Sequence, residues 1–431
     1  MKYQLVFAGG GAKGSYQVGV WKALKELGIE IDVVVGTSIG SINGAAFAND
    51  EFDKAYDLWT SLDTASLFDL SYDKENGEPG TSDYLEAIIK NKGLETDKIK
   101  ELLSEVIDEE QLRESPIDYG LVTFSLTHLK PLVLFKKDIP QGKLVDYIMA
   151  SSAVPGFKKQ EIDYEHFIDG GVYDNMPINV LLEEGYKNII AVSNSAIGVY
   201  RRIQGNDANI IIIKNGNIKG GVLDFNTDHA KYNINLGYMD CMKTFGQLLG
   251  ADYYIDYSNP SYLSKELGDS EIDMLFLNIK KRQKEVVAKV IRLAILRTLK
   301  RHCKGPLDNK RAFIAAMEIS ANTLGIEKFE IYKVDQLIRK IIAEYGNVKN
   351  EMREIRKQEG NFFAKIFHRV WDKEKIRLNK KAVRKIYLSH AIPEGDTKIA
   401  TNIPVDLLIT NLFVYLVMYR IRKNRNERDS I

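Results

Sequence analysis

The apolar positions of this chain follow two patterns. As far as Ile213, short apolar runs alternate with amphipathic stretches; from Glu271 onward helical spacing dominates. Residues 3–8 read as a strand that leads through a glycine loop into a helix over 16–27, ended by Gly28, and 31–35 read as the next strand. Helix follows over 41–59, an exposed loop over 67–80, and helix again over 84–107, where Leu85, Ile88, Ile89, Leu102, Leu103 and Val106 are packing positions. Strands over 119–126 and 131–135 share a turn, and a short helix over 144–153 is closed by Pro155-Gly156. Further bounded apolar strands lie at 189–193 and 210–213. Brief, continuously apolar strands separated by helices predict an α/β fold with a mostly parallel sheet flanked by helices.

Stretches such as KKRQKEVVAKVIRLAILRTLK and DQLIRKIIAEY predict a C-terminal α-helical domain with basic outer faces. Residues 362–385 set Phe363, Phe367 and Trp371 among basic residues, a mixture that fits a packed helix with a solvated face and fits equally a helix lying on an anionic membrane. Residues 403–421 are the most apolar of the chain, but Asp406, Asn411 and Arg420 interrupt them. A buried helix is expected rather than a membrane span, which needs about 20 apolar residues. The alternative is a tail anchor or membrane contact with Arg420, Arg422, Lys423 and Arg425 at the interface.

At 431 residues the chain suits two domains, 1–265 and 270–431. The net charge of +1 conceals a division: residues 1–270 carry 25 Lys and Arg against 40 Asp and Glu, whereas 271–431 carry 35 against 19. A basic half can face anionic lipid, nucleic acid or the acidic half of its own chain. No nucleic-acid reading motif accompanies it, so no nucleic-acid partner is expected. Cys241 and Cys303 form no C-x-x-C or Cys/His ligand cluster and read as buried thiols, which excludes a disulfide framework and predicts no metal site. The N-terminus runs into glycines without a long apolar segment or cleavage site. The expected location is cytoplasmic, with or without peripheral membrane contact.

Three glycine-rich stretches carry the chemistry. Gly36-Thr37-Ser38-Ile39-Gly40 spells G-x-S-x-G across a strand-to-helix turn, the pattern of a nucleophile elbow, where small flanking residues let a serine stand on a sharp turn. Gly9 to Gly14 matches the dinucleotide-binding G-x-G-x-x-G, but the second strand ends in Gly36-Thr37-Ser38 rather than in an acid, and Lys13-Gly14-Ser15 misses the phosphate-loop order. Backbone N–H groups uncovered at a helix start serve an oxyanion better. In HFIDGGVYDNMP, Asp169 stands at a strand end before Gly170-Gly171. His128, His166 and His229 read as surface or packing residues, which argues against a Ser-His-Asp triad.

Together these motifs resemble the patatin-like phospholipases: a G-G-G-x-[K/R]-G loop at Gly9–Gly14 with Lys13 in the basic position, the elbow with Gly36 and Gly40, and D-G-G at Asp169–Gly171, in that order. SSAVPGFKK, NMPINVLLEEG and LDFNTDHAKYNINLGYMDCM extend the likeness through roughly the first 250 residues. The resemblance implies a lipid acyl hydrolase of phospholipase or esterase type. In it Ser38 would be the nucleophile, Asp169 the general base, and Gly9, Gly10, Gly11 and Ala12 the oxyanion hole, with Lys13, Gly14, Gly36, Gly40, Gly170 and Gly171 supporting the motifs. It implies no cofactor and no metal, and a phospholipid or other fatty-acyl ester as substrate. The basic C-terminal half would supply any peripheral membrane contact, and it would target, gate or oligomerise the enzyme. The competing reading is a regulated or silent lipid-binding scaffold that retains the fold.

Overall fold

The computed structural model describes residues 2–67, 97–154, 160–205, 207–282, 285–303, 305–359 and 404–428. Expected features at 68–80, 84–96, Pro155-Gly156 and 362–385 lie outside the described residues. The chain divides into two compact units, Met1–Phe245 and Gly246–Ile431.

In the first unit, β1 (Tyr3–Phe7), β2 (Ile31–Thr37), β3 (Asp118–Ser125), β4 (Lys130–Phe135), β5 (Gln160–Ile162), β6 (Glu165–Asp169), β7 (Asn188–Ser193) and β8 (Asn209–Lys214) form one sheet. Its order is β5-β6-β3-β2-β1-β7-β8, with β4 also paired to β3. The pairs among β8, β7, β1, β2 and β3 are parallel, and β4, β5 and β6 run antiparallel to their neighbours. The central strands are apolar throughout because both faces are covered: Leu5, Val6 and Phe7, Val33 to Val35, and Ile189 to Val192 are all buried. One face packs against α8 (Ile178–Glu183), with Val6, Val35, Ile178, Leu181 and Ile189 in one cluster. Phe7 meets Phe47 of α2 (Ile39–Ala48) edge to face at 6.1 Å, and Phe47 meets Trp21 of α1 (Ser15–Glu26) at 5.1 Å.

The helix expected over 41–59 is two helices, α2 and α3 (Phe52–Ser61). The break falls at Asn49-Asp50-Glu51, where Asp50 has φ 54°, a conformation that Asn and Asp tolerate better than most residues. Between α3 and β3 the described residues form α4 (Thr64–Leu67), α5 (Asp97–Val106) and α6 (Glu109–Glu114). The chain then adds α7 (Leu144–Ser151) after β4 and α9 (Thr227–Thr244) after β8.

The second unit is mainly helical: α10 (Asp269–Arg282), α11 (Glu285–His302), α12 (Asn309–Leu324), α13 (Val334–Glu359) and α14 (Val405–Arg428). Tyr254–Asp256 and Ile331–Lys333 add a two-stranded parallel ladder, β9 and β10, whose three-residue strands are too short to leave an alternation in the sequence. Phe413, Leu416 and Val417 of α14 are buried in one core with Tyr253, Phe313, Tyr332 and Leu337. Arg420 is buried as well: Nε and Nη2 donate to Glu271 at 2.8 and 2.6 Å, and further bonds reach the carbonyls of Leu263, Lys265 and Glu266. Such a fully bonded guanidinium is an internal clamp rather than an interfacial anchor. Among the described residues no helix is long and apolar enough to cross a membrane.

Candidate active site

The site begins where β2 runs out. Ser38 follows Thr37 with φ 57° and ψ −131°, outside the regions a non-glycine residue normally occupies, and α2 starts immediately after it. The turn is tight enough that a Cβ on Gly36 would lie 2.1 Å from the Gly40 carbonyl oxygen, and one on Gly40 2.1 Å from that of Phe7. The Ser38 carbonyl accepts from the Ser41 hydroxyl at 2.6 Å and from the Ser41 amide at 2.8 Å. The Ser38 amide donates to Ser151 Oγ at 3.0 Å, and that hydroxyl donates to the Val122 carbonyl at 2.7 Å.

Asp169 reaches the same place through strand register. Thr37 of β2 is paired with Val122, and the next residue of β3, Thr123, is paired with Asp169 of β6. Strand β6 therefore takes over along β3 where β2 stops, and the last residue of one strand faces the elbow at the end of the other. Asp169 is 5% exposed. Its Oδ1 accepts from the Gly171 amide at 2.6 Å, which caps the 3-10 turn Gly170–Val172. Its Oδ2 is buried without a close hydrogen-bond partner among the described residues. Burial pushes the carboxyl up to about 6, against the opposing pull of the Ser38 hydroxyl and the Gly171 amide.

The glycine loop lies between β1 and α1. Gly10 (φ 154°) and Gly11 (φ 55°) adopt backbone that a side chain would strain, and a Cβ on Gly11 would sit 2.0 Å from the Val222 carbonyl oxygen. The four N–H groups assigned to an oxyanion hole differ in availability. Gly9 donates to the Asn175 carbonyl at 2.9 Å and Ala12 to that of Val222 at 2.8 Å, so both are spent on holding the loop. The Gly10 and Gly11 amides meet no acceptor among the described residues. Lys13 closes the turn by donating its amide to Gly10 at 3.3 Å, and Gly14 admits Ile39 and Trp59 where a Cβ would clash.

Buried amides brace this loop. Asn194 Nδ2 donates to the Ala8 carbonyl at 3.0 Å, and Gln17 Nε2 donates to the same oxygen at 2.7 Å. Asn43 Nδ2 donates to Gln17 Oε1 at 2.8 Å and to the Gly14 carbonyl at 3.0 Å. Sequence reasoning singled out none of these amides, nor Ser151 or Asn175. Ser151 and Asn175 stand inside motif runs, but Asn194 follows an ordinary apolar strand and leaves no local signal.

An apolar pocket opens beside Ser38 and Gly11. Its walls include Ile42, Trp59 and Leu62, Leu102 and Leu103 of α5, Met149, Val154 and Phe225. Leu102 and Leu103, expected simply to pack, therefore face this space. No histidine is among its lining residues. His128, His166 and His229 instead lie near Glu165, Glu161 and Asp224 at 3.0, 3.9 and 3.1 Å. Among the described residues no group of three His, Cys, Asp or Glu side chains is arranged to hold a metal ion. Cys241 is buried and Cys303 half-buried, its Sγ donating to the Arg311 carbonyl at 3.4 Å.

The patatin-like phospholipase family model matches residues 5–182, a span that contains all three glycine motifs. Patatin-like phospholipase domain-containing protein 7 of Rattus norvegicus is 28% identical over 200 residues, 44% of this chain and 13% of its own. Patatin-like phospholipase domain-containing protein 6 of Homo sapiens is 30% identical over 199 residues, with the same shares. Lysophospholipase NTE1 of Yarrowia lipolytica is 29% identical over 206 residues, 45% of this chain and 13% of its own. The chain thus spans about an eighth of the length of these curated relatives. Among solved structures, VipD from Legionella pneumophila covers 96% of this chain and 91% of its own at 16% identity and a TM-score of 0.32, too weak a likeness to carry an argument. By its matched span, its motifs and its relatives, the N-terminal part of this chain, residues 5–182, is a patatin-like phospholipase domain.

Proposed function

We propose that the chain is a lipid acyl hydrolase that cleaves a fatty-acyl ester, of phospholipid type or similar, with Ser38 as nucleophile and Asp169 as the only general base. The observation that carries the reading is the strained Ser38 facing a buried carboxylate at the mouth of an apolar pocket. In the first step Ser38 Oγ attacks the acyl carbonyl carbon and its proton passes to Asp169. The carbonyl oxygen becomes an oxyanion held by the Gly10 and Gly11 amides, the two donors of the loop left free. Collapse breaks the ester C–O bond, and Asp169 returns the proton to the departing alcohol or lysolipid. Water then attacks the acyl-serine and gives one proton to Asp169; collapse breaks the acyl C–Oγ bond, Asp169 returns that proton to Ser38 Oγ, and the fatty acid leaves. A carboxyl near 6 is a stronger base than an ordinary aspartate and is still ionised at neutral pH. The acyl chain occupies the pocket lined by Trp59, Leu103 and Phe225.

The test is fatty-acid release from mixed phospholipid vesicles and from a dissolved short-chain ester, identified by mass spectrometry, for wild type, Ser38→Ala and Asp169→Asn. Both substitutions are expected to lower the rate by about a thousandfold or more. Activity that persists in Ser38→Ala would remove the reading.

A further inference from the structure

Against the Asp169 turn and the glycine loop stands an apolar surface that neither the fold nor the proposed chemistry uses. In the loop after β7, Ile197 is 98% exposed, Val199 47% and Tyr200 43%, with Val172 of the Asp169 turn at 44%. Single exposed apolar residues are ordinary, but here several stand together on one short loop and the adjoining turn.

The loop is held in this shape. Tyr200 Oη donates to the Ala196 carbonyl at 2.9 Å and accepts from Asn175 Nδ2 at 3.0 Å. Val199 donates its amide to the Gly171 carbonyl at 2.9 Å and accepts from the Asn175 amide at 2.7 Å. The Arg202 carbonyl accepts from Asn179 Nδ2 at 3.0 Å. These bonds fix Ile197 outward at the tip, where no described apolar residue covers it.

The same bonds tie the loop to the site. Val199 is bonded to the residue that caps the Asp169 carboxylate, and a Cβ on Gly10 would lie 3.1 Å from Ala196 Cβ. Two arginines follow. Arg201 stacks over Tyr173 at 4.8 Å, and Arg202 is exposed and makes no ion pair with a described residue. They stand out because residues 1–270 carry 15 more acidic than basic side chains. An aliphatic tip, a tyrosine and then arginines match the depth order of a bilayer interface, from acyl chains to headgroups.

We infer that residues 196–203 dock this unit on an anionic lipid bilayer, with Ile197 inserted below the headgroups and Arg202 at the phosphates. The inference rests on the proposed lipid hydrolysis, since a rim seated in the bilayer lets an acyl ester pass from membrane to pocket without crossing water. The acidic remainder of the unit is repelled by the same surface, which orients the approach.

The experiment uses the full chain with Ser38→Ala, to prevent hydrolysis, and Cys303→Ser, Cys241 being buried. An environment-sensitive fluorophore is placed through Ile197→Cys or, as control, Lys25→Cys, an exposed position at the other end of α1 from the glycine loop. Phosphatidylcholine vesicles containing about one third phosphatidylglycerol are expected to shift emission at 197 to the blue, with quenching by nitroxide lipid, and to leave the probe at 25 unchanged. Ile197→Asp is expected to weaken co-sedimentation with these vesicles about tenfold, and Ile197→Trp to strengthen it, a gain that misfolding cannot imitate. Water-like emission at 197 on sedimented protein, unchanged affinity in Ile197→Asp, or no sedimentation of the parent would each overturn the inference. Ester hydrolysis lost on Ser38→Ala holds the reading of the active site whichever way the vesicle result falls.

Discussion

Ser38 is anchored through its amide to the hydroxyl of Ser151, at 3.0 Å. That bond occupies the N–H of the proposed nucleophile, leaving the oxyanion of the proposed reaction to the glycine loop, and it ties the elbow to β3 through the Val122 carbonyl. Ser151→Ala is expected to lower kcat by about tenfold through a loosened elbow, with KM little changed, and Ser151→Thr to recover part of the loss. Steady-state kinetics on a dissolved ester, with thermal melting as control, distinguishes this from a folding defect.

The pH profile follows from Asp169. Its carboxyl is pushed up to about 6 by burial, so the proposed base is ionised above that pH and protonated below it. We expect kcat/KM to fall on the acid side with an apparent midpoint near 6, where an unburied aspartate would give a midpoint near 3.8. A rate constant flat down to pH 5 would contradict the assignment of Asp169 as base.

The same burial predicts that the site is held against stability. A carboxyl whose folded value lies above its unfolded one binds more protons when folded, so its contribution worsens as pH rises from about 4 to about 6 and stays unfavourable above. Asp169→Asn, which can still accept from the Gly171 amide, is expected to raise unfolding free energy at pH 7 by on the order of 1 kcal/mol while abolishing turnover. Urea unfolding at pH 7 and at pH 4.5 reads this, because the gain should shrink at the lower pH.

Gly11 permits no side chain. Gly11→Ala would force a methyl to within 2.0 Å of the Val222 oxygen at a φ that disfavours it, and is expected to displace the loop and reduce kcat about a hundredfold or more. Val222 accepts from Ala12 through its backbone, so Val222→Ala should leave most activity intact; comparison of the two variants checks that the loop's backbone path is what matters.

In the helical unit, Glu318 is buried and accepts from the amides of Ala251, Asp252 and Tyr253 and, at 2.8 Å, from His302. The hydrogen bond to Glu318 raises the His302 value above 6.5 against the opposing effect of burial; the charges of Glu318 and Asp252 add to the rise and Lys328 opposes it. A raised histidine stabilises the fold fully below its unfolded value and loses that contribution as pH rises through the folded one. Hydrogen exchange at Ala251 to Tyr253 should therefore quicken as pH climbs beyond 6.5, after correction for intrinsic rates, and His302→Gln should remove that dependence.

What could be read in the sequence were the positions where backbone geometry leaves few residue choices. Gly36 and Gly40 are glycines because the elbow brings their backbones against other backbones, and Gly10 and Gly11 because of their φ, so both motifs stand out in the chain. The central strands were equally plain, since burial on both faces makes them apolar at every position. Which amides of the loop remain free was not readable: it depends on the carbonyls of Asn175 and Val222, which arrive from remote segments and accept through atoms every residue has. The role of Asn194 was hidden for a similar reason, because its partner is the carbonyl of Ala8. The Asn49 to Glu51 break was missed because apolar spacing continues across it.

Because β6 succeeds β2 along β3, one strand serves as a ruler on which both proposed catalytic side chains are spaced: Val122 marks the place of Thr37, which precedes Ser38, and Thr123 that of Asp169. The long connection between them does not set their separation. Loops and helices inserted between the elbow and the aspartate can then lengthen, shorten or be exchanged among descendants of this fold, reshaping the apolar pocket without disturbing the placement of Ser38 and Asp169.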